Sequence, residues 1–372
     1  MNEELKLQLP EGGERLPQGL QVFHTKEILW RITRKCHLAC PHCYADAGSK
    51  DADELTTEEA KSIMDSLAAT AQKRGERFCI AWMGGEPVLR DDLLDLMQHA
   101  KSRGFAQHMG TSGTIMDERR AAELREGGLT LACVSLDSYQ PEIHERLKGK
   151  GTFSKAVQGI KLLKQAGIEV MTVFVMTRLN FGQMDRYEQF CREELGCRTY
   201  FSLLHRIGRA QEVYDDIALS REQLIKVYTE KYRKIHDYIS SGRSFELPIM
   251  ELFDLTPFMD TPKTAAEKAY LSWGIGCQGC RFCLGVDYNG DLWPCERMPL
   301  TLGNLKTQTL EEIEETELFK KIQYRTGKQG KCAACEHVEM CGGGCLAEAY
   351  GATGDAFAEC PYCWYDPAKS AP

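Results

Sequence analysis

Glu27-Ile28-Leu29-Trp30-Arg31-Ile32-Thr33 runs almost directly into Cys36-His37-Leu38-Ala39-Cys40-Pro41-His42-Cys43-Tyr44. The first segment alternates apolar and polar residues like a short strand, so the thiol loop sits at a strand's C-terminal end. Gaps of three and then two residues let three thiolates turn toward one centre. That is one ligand fewer than a tetrahedral or cubane site requires, and the open metal position can take a substrate or cosubstrate.

Working outward, Thr56 and Thr57 precede Glu58 and Glu59, and Ile63, Met64, Leu67 and Ala71 share one face up to Gly75, which predicts a capped helix. Phe78-Cys79-Ile80-Ala81-Trp82-Met83 then reads as a buried parallel strand ending in Gly84-Gly85-Glu86-Pro87. Strand-like runs follow at 106–111, 130–137, 168–177 and 197–204, separated by helical stretches beginning near Asp91, Asp117, Phe153 and Gln183. Six strands each followed by a helix predict an α/β fold, a partial (β/α)6 TIM-like barrel. Ligands of such folds bind at the C-terminal strand ends, and the thiol loop and the glycine run both lie at such ends.

From Ser220 the pattern changes to a long polar helix running to about Ser241, then to an irregular stretch through Pro248, Pro257 and Pro262. Cysteines crowd beyond Trp273. The expected organisation is a lead-in over 1–25, the barrel over 26–219, a helical bridge over 220–272 and a small cysteine-rich C-terminal domain over 273–372.

The chain has 372 residues, a net charge of -8 and 17 cysteines. Its length allows a full core, and its acidity argues against a general phosphate-backbone binder, so no nucleic acid is expected. No apolar run approaches a bilayer span and the polar N-terminus is unlike a leader, so the expected location is cytoplasmic with no membrane contact. In that reducing compartment an odd, large number of thiols reads as metal ligands rather than disulfides.

The stretch CHLACPHCY resembles the signature of the radical S-adenosylmethionine (radical SAM) superfamily. The resemblance implies a [4Fe-4S] cluster held by Cys36, Cys40 and Cys43, with S-adenosylmethionine on the unique iron, cleaved to a 5'-deoxyadenosyl radical that abstracts hydrogen. It further implies that Gly84, Gly85, Glu86 and Pro87 form the glycine-rich strand end, where the lack of a Cβ lets backbone approach the methionine amino group. Thr111, Ser112, Ser135 and Asp137 are similar to segments near the cosubstrate's methionine and ribose. Relatives place His and, four residues on, Arg at the cosubstrate carboxylate; this chain has His144 and Lys148, so that role falls to Lys148 or Arg146, and a lysine lacks the arginine's planar fork. By the same resemblance Tyr44 occupies a position beside adenine. The plain alternative for three close thiols is a zinc knuckle.

The C-terminal cysteines are Cys277, Cys280, Cys283, Cys295, Cys332, Cys335, Cys341, Cys345, Cys360 and Cys363. Their spacing resembles the SPASM extension, which implies two auxiliary [4Fe-4S] clusters. By position the first would use Cys295, Cys345 and two among Cys277, Cys280 and Cys283; the second would use Cys332, Cys335, Cys341 and one of Cys360 or Cys363. Cys79, Cys133, Cys191 and Cys197 read as ordinary buried thiols.

The implied function is a radical SAM/SPASM enzyme, an anaerobic oxidoreductase that modifies a C–H bond of a ribosomally made peptide or protein. Only 35 residues precede Cys36, too few for an appended leader-binding domain, so a separate protein presents such a peptide or the barrel binds it directly. A ferredoxin or flavodoxin is the expected electron donor. The tail from Gly327 and the Gly208-Arg209-Ala210 turn also resemble tetrapyrrole-modifying enzymes of anaerobic haem biosynthesis, the alternative reading. A non-catalytic zinc-ribbon protein is a third. His205, Arg209, Glu251 and Asp254 are candidates for facing the cavity, and none is singled out as a general base.

Overall fold

The computed structural model describes residues 25–48, 53–240, 249–250 and 276–366. The lead-in before Thr25, much of the expected bridge, Glu251 and Asp254 lie outside the described residues.

Six parallel strands form the centre: β1 (Thr25–Arg31), β2 (Arg77–Met83), β3 (Ala106–Thr111), β4 (Leu131–Ser135), β5 (Glu169–Met176) and β6 (Arg198–Leu203). They are hydrogen-bonded in sequence order, as repeated strand–helix units require. The sheet then runs on at both edges. The short β7 (Ile249–Met250) adds beside β6, while β8 (Cys283–Val286), β9 (Asp291–Trp293) and β10 (Gly303–Asn304) extend it past β1. β8 is parallel to β1, with Glu27 opposite Cys283, so the cysteine-rich region grows directly from the barrel's first strand.

Helix α1 (Thr57–Arg74) starts with the expected capping box, Thr56 and Glu59 each bonding the other's backbone, and stops at Gly75 in the left-handed region. Its buried face is Ala60, Ile63, Met64, Leu67 and Ala71, packed on the sheet residues Ile28, Trp30 and Ile32. Trp30 stacks on its register partner Trp82, and the Trp82 indole N–H donates to Gln107, whose amide donates on to the carbonyls of Met97 and Gly127. A buried amide with all its groups satisfied fixes strand against helix without leaving an orphan donor. Helices α2 (Leu93–Ser102) and α3 (Glu118–Glu126) follow β2 and β3. Two helices, α4 (Pro141–Lys148) and α5 (Thr152–Gln165), follow β4 where the periodicity predicts one, and the extra α4 carries Lys148. α6 (Met184–Phe190) follows β5, and α7 (Tyr214–Ile217) and α8 (Arg221–Ser240) follow β6.

Residues from both ends of the chain, from Ile28 to Ala356, share one apolar core. Among the described residues no helix is long and apolar enough to cross a membrane.

Candidate metal and cosubstrate site

The ends of β1 and β2 meet before the thiol loop begins. The Gly85 amide donates to the Thr33 carbonyl and the Glu86 amide to that of Lys35, both at 2.8 Å. A Cβ on Gly84 would lie 2.5 Å from the Thr33 oxygen, and one on Gly85 only 2.1 Å from that of Lys35. The two glycines are therefore needed for backbone to touch backbone, a use that their position in the sequence does not reveal. Gly85→Ala must push these strand ends apart, and we expect it to cost about 3 kcal/mol, read as a lower denaturation midpoint.

Glu86 is fully buried and accepts from the Thr111 hydroxyl at 2.6 Å and from the amide and hydroxyl of Ser112 at 2.9 and 2.6 Å. The carboxylate thus ties β2's end to β3's. The Ser112 hydroxyl also meets Thr114, whose hydroxyl lies 2.6 Å from His37 Nε2. This chain of hydrogen bonds reaches from the second strand end to the thiol loop. Pro87 is buried at the start of a short turn, and Ser135 is half-buried at the end of β4.

The far side of the loop is held from β6. The Arg209 guanidinium donates Nε to the Cys40 carbonyl at 2.9 Å and Nη1 and Nη2 to that of Ala47 at 3.1 Å, and it also faces Asp46. The Ala210 amide donates to the Cys43 carbonyl, and Gly208, at φ 61, packs so closely on Tyr44 that a Cβ would lie 2.3 Å from its oxygen. β1 and β6 are separated by four strands in the sheet. Their ends touch only because the sheet curves, which makes this contact direct evidence of the partial barrel. Arg209→Ala should lower the iron retained after reconstitution by about four per chain. Arg209→Lys should not restore it, because a lysine cannot serve two carbonyls in one plane.

Beneath the loop lies a buried charged group. Asp137 is wholly buried and accepts from the Val175 amide at 2.9 Å; its second oxygen lies 3.4 Å from His42 Nε2 and 3.5 Å from Lys148 Nζ. Burial pushes the Asp137 carboxyl up, but Lys148 and His42 together hold it well below the usual carboxylate range. Burial alone would lower Lys148, yet Asp137, Cys40 and Cys43 keep it above its ordinary value. His144 accepts from the Asp137 amide through Nδ1, and burial pulls its pKa down to about 4. Arg146 is exposed on α4, so of the two candidate cations Lys148 is the one the fold carries to the loop.

Cys36, Cys40 and Cys43 are half-buried free thiols. Burial pushes the Cys36 thiol up to about 11, with Glu86, Cys40 and Cys43 adding to it against a hydrogen bond from the Leu38 amide. Burial likewise raises Cys40, which Lys148 offsets in part. Three thiols that repel one another once ionised, in a pocket with a cation behind it, fit a bound iron cluster, which supplies the missing positive charge. Among the described residues the buried Nδ1 of His42 has no hydrogen-bond partner, a further polar atom left over beneath the loop. Tyr44 turns toward the C-terminal region. Burial raises its hydroxyl, and Glu296, Arg297 and Arg31 are the charges nearest to it.

The C-terminal thiols fall into two groups. Cys277, Cys280, Cys283, Cys295 and Cys345 are close enough to act on one another's ionisation, and burial raises Cys280, Cys283, Cys295 and Cys345. All three of the alternative thiols at 277, 280 and 283 are in this group. Cys277, Cys332, Cys360 and Cys341 all act on the Lys328 amine, with Cys335 beside Cys332, and Cys360 also acts on Cys345, so the second group adjoins the first at Cys277 and Cys345. Cys363 follows one turn later, its amide donating to the Cys360 carbonyl. Sequence spacing gives no hint of Lys328, whose charge would offset that of thiols from both groups.

His205 is tied into the fold: Nδ1 faces the buried Glu348 carboxylate and Nε2 lies 2.9 Å from Arg297 Nη1. Arg209 is likewise spent on the loop carbonyls. Neither is placed as a free base.

Residues 30–191 match the radical SAM superfamily, and residues 277–336 match SPASM, an iron-sulfur cluster-binding domain. The chain is 30% identical to the AdoMet-dependent heme synthase of Oleidesulfovibrio alaskensis, over 92% of this chain and 88% of that protein. It is 28% identical to the mycofactocin maturase MftC of Mycolicibacterium smegmatis, over 86% and 78% of the two chains. In fold it is similar to native anSMEcpe with bound AdoMet, with a TM-score of 0.67 at 20% identity, covering 91% of this chain and 94% of the other.

Proposed function

The chain belongs to the radical SAM superfamily and carries a SPASM iron-sulfur domain, and on that footing we propose that it oxidises an unactivated C–H bond of a tetrapyrrole on the way to haem. It is an enzyme that uses a [4Fe-4S] cluster and S-adenosylmethionine, which sets aside the zinc-ribbon reading. When bound, cluster and cosubstrate supply reductive cleavage of the sulfonium and so the means of hydrogen abstraction. Cys36, Cys40 and Cys43 would hold that cluster. Lys148, backed by Asp137, is the cation available to the cosubstrate's carboxylate. The strand ends at Gly84–Pro87, Thr111–Ser112 and Ser135 wall the space above the sheet.

The observation that carries the oxidative character is the pairing of β8 with β1. Cys283, at the start of β8, pairs with Glu27 on the strand that delivers Cys36, which builds the cysteine-rich region onto the barrel's first strand. A two-electron oxidation sends one electron away with the hydrogen atom, and the second needs an acceptor within the same protein. The C-terminal thiols would hold such an acceptor, with a ferredoxin or flavodoxin as the external partner.

For the substrate, the tetrapyrrole reading draws on the heme synthase relative, which matches over nearly the whole chain. A ribosomal peptide is the second reading, favoured by the maturase relative. The test is anaerobic turnover of the reconstituted protein with deuterated iron tetrapyrroles or with deuterated precursor peptides. Deuterium appearing in 5'-deoxyadenosine with the tetrapyrrole supports the first reading. Transfer only from the peptide replaces it with the second.

A further inference from the structure

The lower end of the barrel, opposite the thiol loop, holds a group that neither the cluster nor the cosubstrate uses. Glu27 on β1, Cys79 on β2 and His108 on β3 each offer one ligand atom, and all three atoms lie within 4.8 Å of one another. The register explains the convergence. Glu27 pairs directly with Cys79, and Cys79 pairs with Ala106, two residues before His108 and on the same face of β3. Ile28, Gln107 and Met109, the buried alternates in β1 and β3, turn to the helix side, so Glu27 and His108 face the barrel's interior.

We propose that Glu27, Cys79 and His108 bind a divalent zinc-class cation that fastens the first three strands at the floor of the barrel. One thiolate, one imidazole and one carboxylate form a mixed donor set of borderline softness, which suits Zn2+ and not the all-oxygen shells of Mg2+ or Ca2+. His108 Nδ1 and Glu27 Oε1 are already 3.6 Å apart, and their side chains are 32% and 41% exposed, which leaves water room for the fourth position. Binding releases the Cys79 thiol proton as the S–Zn bond forms; burial, with Glu27 and Cys133 beside it, holds that thiol protonated in the metal-free protein. On this reading Cys79 is a ligand and not an ordinary buried thiol. The place also suits a structural cation, since residues at this end of a barrel serve stability.

The test uses anaerobically reconstituted holoenzyme given one equivalent of zinc chloride, desalted and measured by zinc X-ray absorption with iron assayed in parallel. The expected result is zinc retained with a single sulfur scatterer and an imidazole. Glu27→Gln and His108→Asn, both at partly exposed positions, should each weaken retention at least about tenfold while iron per chain stays constant. Zinc bound by three or four sulfurs would place it in a cluster site and overturn the proposal. So would equal retention, or equal loss, in all three proteins.

Discussion

Changing Cys36, Cys40 and Cys43 together to Ala abolishes 5'-deoxyadenosine formation, a loss of at least about a thousandfold or about 4 kcal/mol in barrier. The physical reason is that, on the proposed assignment, the loop supplies every protein ligand of the cluster, so nothing would remain to hold the iron that the cosubstrate must meet. Iron per chain should fall by about four, with the C-terminal clusters left in place. The fold itself should survive, because the loop and its approach are held by backbone amides of Gly85, Glu86 and Ala210 and by the Arg209 guanidinium, and not by the thiols. Turnover persisting in the triple variant, with iron reduced, would refute the assignment of this loop as the radical source.

The second large effect is at Lys148. Lys148→Met leaves Asp137 wholly buried with its main compensating charge gone, and such a loss costs about 3–5 kcal/mol. His42 is a poor replacement as the counter-charge, since burial, the largest influence on it, disfavours its charged form even with the ammonium gone. The double variant Asp137→Asn with Lys148→Met removes both charges and should regain most of the loss, measured by denaturant midpoint. Equal destabilisation in single and double variants would mean that the pair is not coupled. The same double variant separates stability from binding. With the fold restored but the Lys148 charge gone, KM for S-adenosylmethionine should remain raised, as expected if Lys148 also meets the cosubstrate carboxylate.

Much of the architecture was legible in the sequence because its signals are local. Alternation marked β1, paired threonines and glutamates marked the start of α1, and Gly75 marked its end. The thiol loop, the Gly84–Pro87 strand end and the C-terminal cysteine spacings could be read for the same reason. What escaped was whatever depends on two distant segments meeting. Gly84 and Gly85 read as room for a ligand, and they also give room to the backbone of Thr33 and Lys35, a contact that no local signal announces. Thr111 and Ser112 looked like independent ligand contacts and are bonded to Glu86. Arg146 and Lys148 were interchangeable on paper until the pitch of α4 turned one to solvent and the other to Asp137.

By itself, then, the sequence determined that three thiols share a loop at a strand end, that parallel strands alternate with helices, and that further thiols gather near the C-terminus, since residue spacing fixes all three. Only the tertiary structure decided that Arg209, 169 residues from Cys40, closes over that loop, that β8 lies against β1, and that Glu27, Cys79 and His108 converge on the barrel floor. These follow from the register and curvature of the sheet, which are set by the packing of the whole core and leave no mark in any short stretch of chain.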